Sequence, residues 1–101
     1  MMLYLNSRNN THSATAEYSE NGITVLAGSQ INMELVYPKM PTLVKEKRDD
    51  RGIVSADGKL LVDVTFDTPT SAAQFVTGRS VNGYIAWRVD DKVSMKEFLK
   101  R

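Results

Sequence analysis

The chain has 101 residues, of which 42% are hydrophobic and 25% charged. These are ordinary values for one folded domain, and they exclude a disordered chain. Cysteine is absent, which excludes disulfides, thiolate metal sites and cysteine nucleophiles. No apolar segment is long enough for a signal peptide or a membrane span, so we expect a cytoplasmic protein without membrane contact.

The net charge of +1 hides an uneven distribution. Residues 39–59 carry six cationic against four acidic residues, and residues 79–101 carry six against three. If these two basic segments share a face, an anionic partner is favoured. The alternative is a pair of separate, solvated polar surfaces.

The first half of the chain predicts mainly extended structure. A short strand over residues 3–5 is followed by a polar loop and by a hairpin over residues 14–28, whose turn is Glu20-Asn21-Gly22. Alternation predicts another extended segment over residues 31–37, with its odd-numbered apolar side chains on one buried face. Residues 42–51 are good helix formers, and Gly52 is expected to end the helix.

The second half predicts two helices and more strands. Residues 53–66 read as a second hairpin around Asp57-Gly58. Thr68 is expected to cap a helix that starts at Pro69 and ends at Gly78. A turn at Asn82-Gly83 then leads to a strand over residues 84–89, in which Trp87 packs in the core or, as the less favoured alternative, stacks on a base.

The chain ends in a last short helix. Ser94 and Glu97 have capping-box spacing, so Met95, Phe98 and Leu99 are expected to pack from this helix. The mixed order of elements predicts a single α+β domain over residues 1–101, built of hairpins in a mostly antiparallel sheet with two or three short helices.

Two sequence stretches resemble the family called domain of unknown function 4357. One is Val25-Leu26-Ala27-Gly28-Ser29-Gln30, and the other is Phe66-Asp67-Thr68-Pro69-Thr70-Ser71-Ala72-Ala73-Gln74-Phe75-Val76-Thr77-Gly78-Arg79-Ser80-Val81-Asn82-Gly83-Tyr84-Ile85-Ala86-Trp87. The second stretch is also similar to the RAMA domain. The resemblance implies a small accessory domain of bacterial restriction-type or GIY-YIG nuclease-associated systems, with no assigned activity.

The chain departs from the family pattern in its middle helix. Arg48 and Asp49 stand where the family usually has an apolar residue. From this difference we expect a helix that is frayed or that faces a partner.

No group of residues indicates catalysis. The single histidine, His12, lies in the predicted mobile loop, and no orienting acid or cluster of metal ligands accompanies it. We therefore expect a protein that is not an enzyme and that needs no metal or other cofactor.

The residues most compatible with binding suggest nucleic acid, DNA above all, as the partner. Arginine can contact phosphate or guanine in two-point fashion, and asparagine can pair with adenine. Helix-start hydroxyls and amides can hold phosphate, and an exposed tyrosine can stack on a base. The candidates are Arg79, Asn82, Lys47, Arg51, Arg88, Thr70, Ser71 and Tyr84. Each has a structural alternative, such as a helix cap for Thr70 and Ser71 or a tight turn for Asn82.

The second hypothesis is a protein-interaction or assembly module without nucleic-acid contact. Its surface would comprise Tyr84, Met40 and the sheet edge left by the short first strand. An exposed strand edge pairs readily with another chain, including a second copy of the same protein.

Overall fold

The computed structural model describes residues 1–7 and 9–100. Its strands are β1 (Met2–Asn6), β2 (Ser13–Ser19), β3 (Gly22–Val25) and β4 (Val64–Phe66). Its helices are α1 (Thr42–Asp49), α2 (Pro69–Thr77), α3 (Gly83–Ala86) and α4 (Met95–Leu99). The strands form one antiparallel sheet in the order β1-β2-β3-β4. The predicted small α+β fold is therefore confirmed.

The core lies between one face of the sheet and α2. Side chains alternate along the strands, so that Leu3, Leu5 and their partners on β2 and β3 are buried while the intervening residues meet solvent. The rings of Phe66 on β4 and Phe75 on α2 pack with centroids 5.1 Å apart. Helix α2 is buried on nearly all sides, so it is the central element of the packing.

The predicted hairpin is confirmed. β2 and β3 pair antiparallel through a turn at Glu20 and Asn21, with Ser19 opposite Gly22. Gly22 has a φ of +127°, and a Cβ at this position would collide with the carbonyl oxygen of Phe66. Glycine is thus required both for the turn and for the close approach of β4.

The predicted boundaries of α2 are also confirmed. The Thr68 hydroxyl accepts a hydrogen bond from the Ser71 N–H at 3.2 Å, and Pro69 occupies the first helical position. Gly78 ends the helix in the left-handed conformation with a φ of 70°.

The buried face predicted for the odd-numbered residues of segment 31–37 is wrong beyond Ile31, because this segment caps α2 instead. The Asn32 N–H donates to Val76 O at 2.8 Å, and its side-chain amide donates to Thr77 O at 3.2 Å. Asn32 is therefore buried, whereas Met33 and Leu35 are exposed. The last carbonyls of a helix need donors, and this need overrides the apolar alternation.

The strand predicted over residues 84–89 is wrong as well. Residues 83–86 form α3, and Asn82 caps it by accepting a hydrogen bond from the Tyr84 N–H at 3.0 Å. Trp87 follows the helix, is fully buried and donates its indole N–H to Pro69 O at 3.1 Å. The prediction that Trp87 packs in the core is confirmed, although not from a strand.

The second predicted hairpin is confirmed only in part. The Asp57-Gly58 turn forms, with Gly58 at a φ of +90°, and Val54 bridges Leu60. However, the backbone of Leu60 pairs with Gly28 and Ser29, and a regular strand forms only at β4, which pairs with β3. This change of partner bends the chain and leaves Val62 exposed.

The middle helix forms but does not end as predicted. α1 stops at Asp49, with Asp50 extended, and Gly52 does not adopt a positive φ. Arg48 is buried, contrary to the expectation of a frayed or partner-facing position. Its guanidinium donates to Phe75 O and to Asn32 O, both at 2.6 Å, so it joins α1 to the end of α2.

The last helix is capped as predicted, and the packing of its side chains differs from the prediction. The Ser94 hydroxyl accepts a hydrogen bond from the Glu97 N–H at 3.2 Å. Met95 is fully buried, whereas Phe98 and Leu99 are exposed. Within the described residues, no helix is long and apolar enough to cross a membrane.

Candidate functional site

A groove lies between β1, the loop that precedes β2, and the two segments that follow α2 and α3. Its volume is about 530 Å³, within the roughly 300–1,000 Å³ typical of ligand sites. We call it the Arg79 groove, and its wall consists of Leu5, Asn6, His12, Thr77, Arg79, Val81, Asn82, Ile85, Ala86 and Arg88. Three of the residues predicted from the sequence to bind nucleic acid, Arg79, Asn82 and Arg88, are thus brought together.

Arg79 is positioned by the end of α2. The left-handed Gly78 turns the chain out of the helix, and the Arg79 N–H donates to the Thr77 hydroxyl at 3.1 Å. That hydroxyl is anchored in turn, because it donates to Ala73 O at 2.8 Å. The backbone of Arg79 is therefore fixed while its side chain remains exposed at the groove.

Arg88 is positioned by the edge of the sheet. The N–H of Tyr4 donates to Arg88 O, and the N–H of Arg88 donates to Tyr4 O, both at 2.8 Å. This antiparallel bridge holds the Arg88 backbone against the outer side of β1. It also occupies the middle of the sheet edge, which weakens the hypothesis that another chain pairs there.

Asn82 has a structural duty as well as a place in the groove. Its side-chain oxygen caps α3, so it faces the Tyr84 N–H. A two-point contact with adenine needs that oxygen as an acceptor together with the amide as a donor. The arrangement therefore favours a donor contact from the Asn82 amide over adenine pairing.

His12 lines the groove, although the sequence placed it in a mobile loop. Its N–H donates to the Ser7 hydroxyl at 3.1 Å, and its carbonyl accepts from the Ser7 N–H at 3.0 Å. Burial, together with the positive charge of Arg79, lowers the pKa of the His12 imidazole below its ordinary value of 6.5. The local sequence around His12 does not indicate that this residue lies beside Arg79 in the groove.

The groove combines positive charge with an apolar floor. Arg79 and Arg88 supply the charge, and Leu5, Val81 and Ile85 supply apolar surface between them. A neighbouring cleft shares Asn6 and Arg88 with the groove and adds the carboxylates of Asp90 and Asp91. The first concavity therefore suits an anion with an apolar portion, while the second is electrostatically mixed.

The cationic side chains of residues 39–59 do not line the groove. The ammonium of Lys47 lies 6.0 Å from the centre of the Phe66 ring, in a cation–π arrangement. The Arg51 guanidinium donates to Val54 O at 3.0 Å and to Ser55 O at 3.3 Å. Both side chains thus support the fold locally, and neither joins Arg79.

The helix-start candidates also serve the fold. The Ser71 N–H is bound by the Thr68 hydroxyl, and the Thr70 hydroxyl accepts from the Gly83 N–H at 3.1 Å. Tyr84 is exposed on α3 but does not line the groove. Met40, predicted to lie on a protein-binding surface, is buried with 3% of its surface exposed and is therefore unavailable to a partner.

Among the described residues, no cluster of three or more His, Asp or Glu side chains has the arrangement to hold a metal ion.

Comparison with known proteins places the chain in a family of unknown function. Residues 3–99 match the family model described as a domain of unknown function, DUF4357. The comparisons with curated proteins and with solved structures give no match.

Proposed function

The chain belongs to the DUF4357 family, and we propose that it is a non-catalytic accessory module that binds nucleic acid, DNA in particular. The observation that carries the proposal is the Arg79 groove, in which Arg79, Asn82 and Arg88 line one concavity. We place the module in a restriction-type or nuclease-associated system, and the support for that setting is the sequence resemblance alone.

The groove has the chemistry that a nucleotide chain requires. Two arginine side chains provide forked donors that match the oxygens of phosphate. The backbones of both arginines are held by hydrogen bonds at 2.8–3.1 Å, so less ordering is needed on binding. The Asn82 amide adds a donor, and Val81 and Ile85 offer apolar surface to a sugar or base.

The proposal predicts binding that depends on Arg79 and on salt. We expect Arg79→Gln to weaken binding of labelled DNA at every salt concentration. We also expect it to reduce the slope of log affinity against log salt by about 1, as loss of one phosphate contact does. Fluorescence-anisotropy titrations of double-stranded and single-stranded DNA, at low and moderate salt, measure both effects.

The matched control is Lys96→Gln, which removes one positive charge from α4, outside the groove. Asn82→Ser is the better variant at position 82, because serine retains an oxygen to cap α3 while the amide is lost. If Lys96→Gln weakens DNA binding as much as Arg79→Gln does, the weakening reflects the lower net charge and not the loss of a contact in the groove. Absence of binding to both forms of DNA at low salt would refute the proposal.

The second candidate is a protein-interaction module, favoured by a run of exposed apolar side chains before and within α1. Leu35, Val36 and Leu43 expose 44%, 45% and 62% of their surfaces. Where exposed apolar side chains of this kind adjoin, they form surface that commonly binds protein. If a second copy covers this surface, sedimentation equilibrium will show a dimer that Leu43→Glu dissociates, whereas a monomer at all concentrations argues against self-assembly.

A further inference from the structure

We propose that His12 is an anion-binding residue of the Arg79 groove, which gains a proton when a phosphate group is held between its imidazole and Arg79. The inference rests on the proposed function, since it assigns a further residue to the same groove. It deepens that function by making the binding of a phosphate-bearing ligand dependent on pH.

The position of His12 supports direct contact with a ligand. The reciprocal hydrogen bonds between the backbone of His12 and Ser7 hold the loop against the end of β1. His12 thus lines the same groove as Arg79 and Arg88. The Nδ1 atom lies 3.2 Å from the Thr11 hydroxyl, so contact with a ligand through Nε2 preserves this local interaction.

In the free protein the surroundings of His12 oppose its protonation. The charged groups in the described groove wall are Arg79, after α2, and Arg88, after α3. The polar groups on the other sides are Asn6, Thr77 and Asn82. The carboxylates of Asp90 and Asp91 line the neighbouring cleft. Burial and the charge of Arg79 accordingly lower the pKa of His12, and the ring is neutral at neutral pH.

A bound phosphate reverses this balance. Its negative charge offsets the charge of Arg79, and one of its oxygens accepts a hydrogen bond from the protonated ring. The pKa of His12 is therefore higher in the complex than in the free protein. Binding then takes up a proton and becomes tighter as the pH falls between these two pKa values. Each unit by which the ligand raises the pKa corresponds to about tenfold tighter binding at low pH.

The charge of Arg79 provides a test without any ligand. In the free protein, Arg79→Gln removes the repulsion and is expected to raise the pKa of His12. Lys96→Gln removes the same charge from α4 and is expected to leave that pKa unchanged. The single histidine of the chain makes its ring resonances unambiguous in NMR spectra.

The decisive experiment is an NMR pH titration of the His12 ring in the wild-type protein. It is recorded alone, with sodium sulfate, and with a short single-stranded oligothymidylate, all at equal ionic strength set with sodium chloride. Sulfate is the probe for the bare anion because it does not titrate in the range of histidine. We expect both ligands to raise the pKa, and His12→Gln to remove the pH dependence of oligonucleotide affinity measured by anisotropy.

The outcomes separate this inference from the proposed function. A pKa raised by sulfate but not by the oligonucleotide, which also fails to bind, supports the anion site at His12 and refutes nucleic-acid binding. A pKa unchanged by both ligands overturns the role of His12, whether or not the oligonucleotide binds. Oligonucleotide affinity that varies equally with pH in wild type and His12→Gln overturns it too.

Discussion

Arg48 shows how one side chain determines the arrangement of two segments. Its guanidinium is buried and donates to carbonyls of α2 and of the segment around Asn32. Burial lowers the pKa of Arg48, and neighbouring Asp49 opposes this effect. A cation is favourable at this place because the end of α2 carries the negative pole of the helix dipole. Arg48 is thus a structural donor.

Replacing Arg48 by methionine is expected to destabilise the fold. Methionine fills similar space but leaves the carbonyls of Phe75 and Asn32 without these donors, and each lost hydrogen bond to a charged group costs about 1.5–3 kcal/mol. With two such bonds lost, we expect the free energy of unfolding to fall by at least about 3 kcal/mol, measured by urea denaturation monitored through the buried Trp87.

The control for this substitution is Arg51→Met, just after the same helix. Arg51 also donates to two backbone carbonyls, but its side chain is exposed. Water can replace these bonds, so we expect a loss below about 1 kcal/mol. If both variants lose the same stability, burial of the Arg48 guanidinium is not what stabilises the junction.

At the scale of elements, the ends of α2 organise the domain. The carbonyl oxygens of its last four residues all accept hydrogen bonds. Gln74 O accepts from the Gly78 N–H and Phe75 O from the Arg48 guanidinium, while Asn32 donates to the carbonyls of both Val76 and Thr77.

The start of α2 also accepts hydrogen bonds from outside the helix. The Trp87 indole N–H donates to Pro69 O, and the Gly83 N–H donates to the Thr70 hydroxyl. The segments before α1 and after α2 are therefore placed by the hydrogen-bonding needs of a single helix.

Gly83 is the tightest contact between α3 and the start of α2. A Cβ added there would overlap the backbone of Pro69 and Thr70, and backbone cannot swing aside as a side chain does. We expect Gly83→Ala to destabilise the protein by about 1–3 kcal/mol, the usual cost of overpacking, in the same urea assay. Gly52→Ala is the control, since its Cβ would approach only the Asp50 carboxylate, and a comparable loss in both would contradict a steric cause.

The same elements show what the sequence could predict. Local signals were sufficient for the β2–β3 hairpin, for the Thr68 cap with Pro69, and for the Ser94 cap, because neighbouring residues satisfy these requirements. They failed at residues 31–37, whose backbone bonds to Gly58, Val76 and Gly78, all distant in the sequence. They also failed at residues 84–89, whose first half forms α3 while Arg88 bridges Tyr4 on β1. Residues of the groove were identified by type, whereas the contribution of His12 depends on Arg79, which is 67 positions away along the chain and lines the same groove.

At the scale of the whole molecule, the positive charge of the groove comes from one of the two basic segments, residues 79–101. Its cationic residues follow α2 and α3, while His12 comes from the loop between β1 and β2. The basic residues Lys47 and Arg51 stay on α1 and its C-terminal extension, outside the groove. A small net charge is therefore compatible with one locally cationic concavity.

The burial of His12 and the nearby charge of Arg79 also predict how global stability depends on pH. The folded state lowers the pKa of His12 below 6.5, whereas the unfolded chain titrates near that value. Below pH 6.5 the unfolded state binds more protons, so the stability contributed by neutral His12 is present above this pH. It is lost progressively as the pH falls toward the folded-state pKa. Urea unfolding across this range should show the decline, and His12→Gln should abolish it.

The Asp57 carboxylate titrates at lower pH than His12, so its effect on stability can be told apart from that of His12. The hydrogen bond from the Ser55 hydroxyl lowers the pKa of the exposed Asp57 carboxylate from its ordinary 3.8. Because this pKa is depressed for an acid, its contribution is present above pH 3.8 and disappears only in stronger acid. Sulfate should reduce the loss of stability above pH 3.8 in wild type by binding the protonated His12. In His12→Gln, which is expected to lack this loss, sulfate should have no such effect. A decline between pH 6.5 and 3.8 that persists unchanged in His12→Gln would show that His12 is not its source.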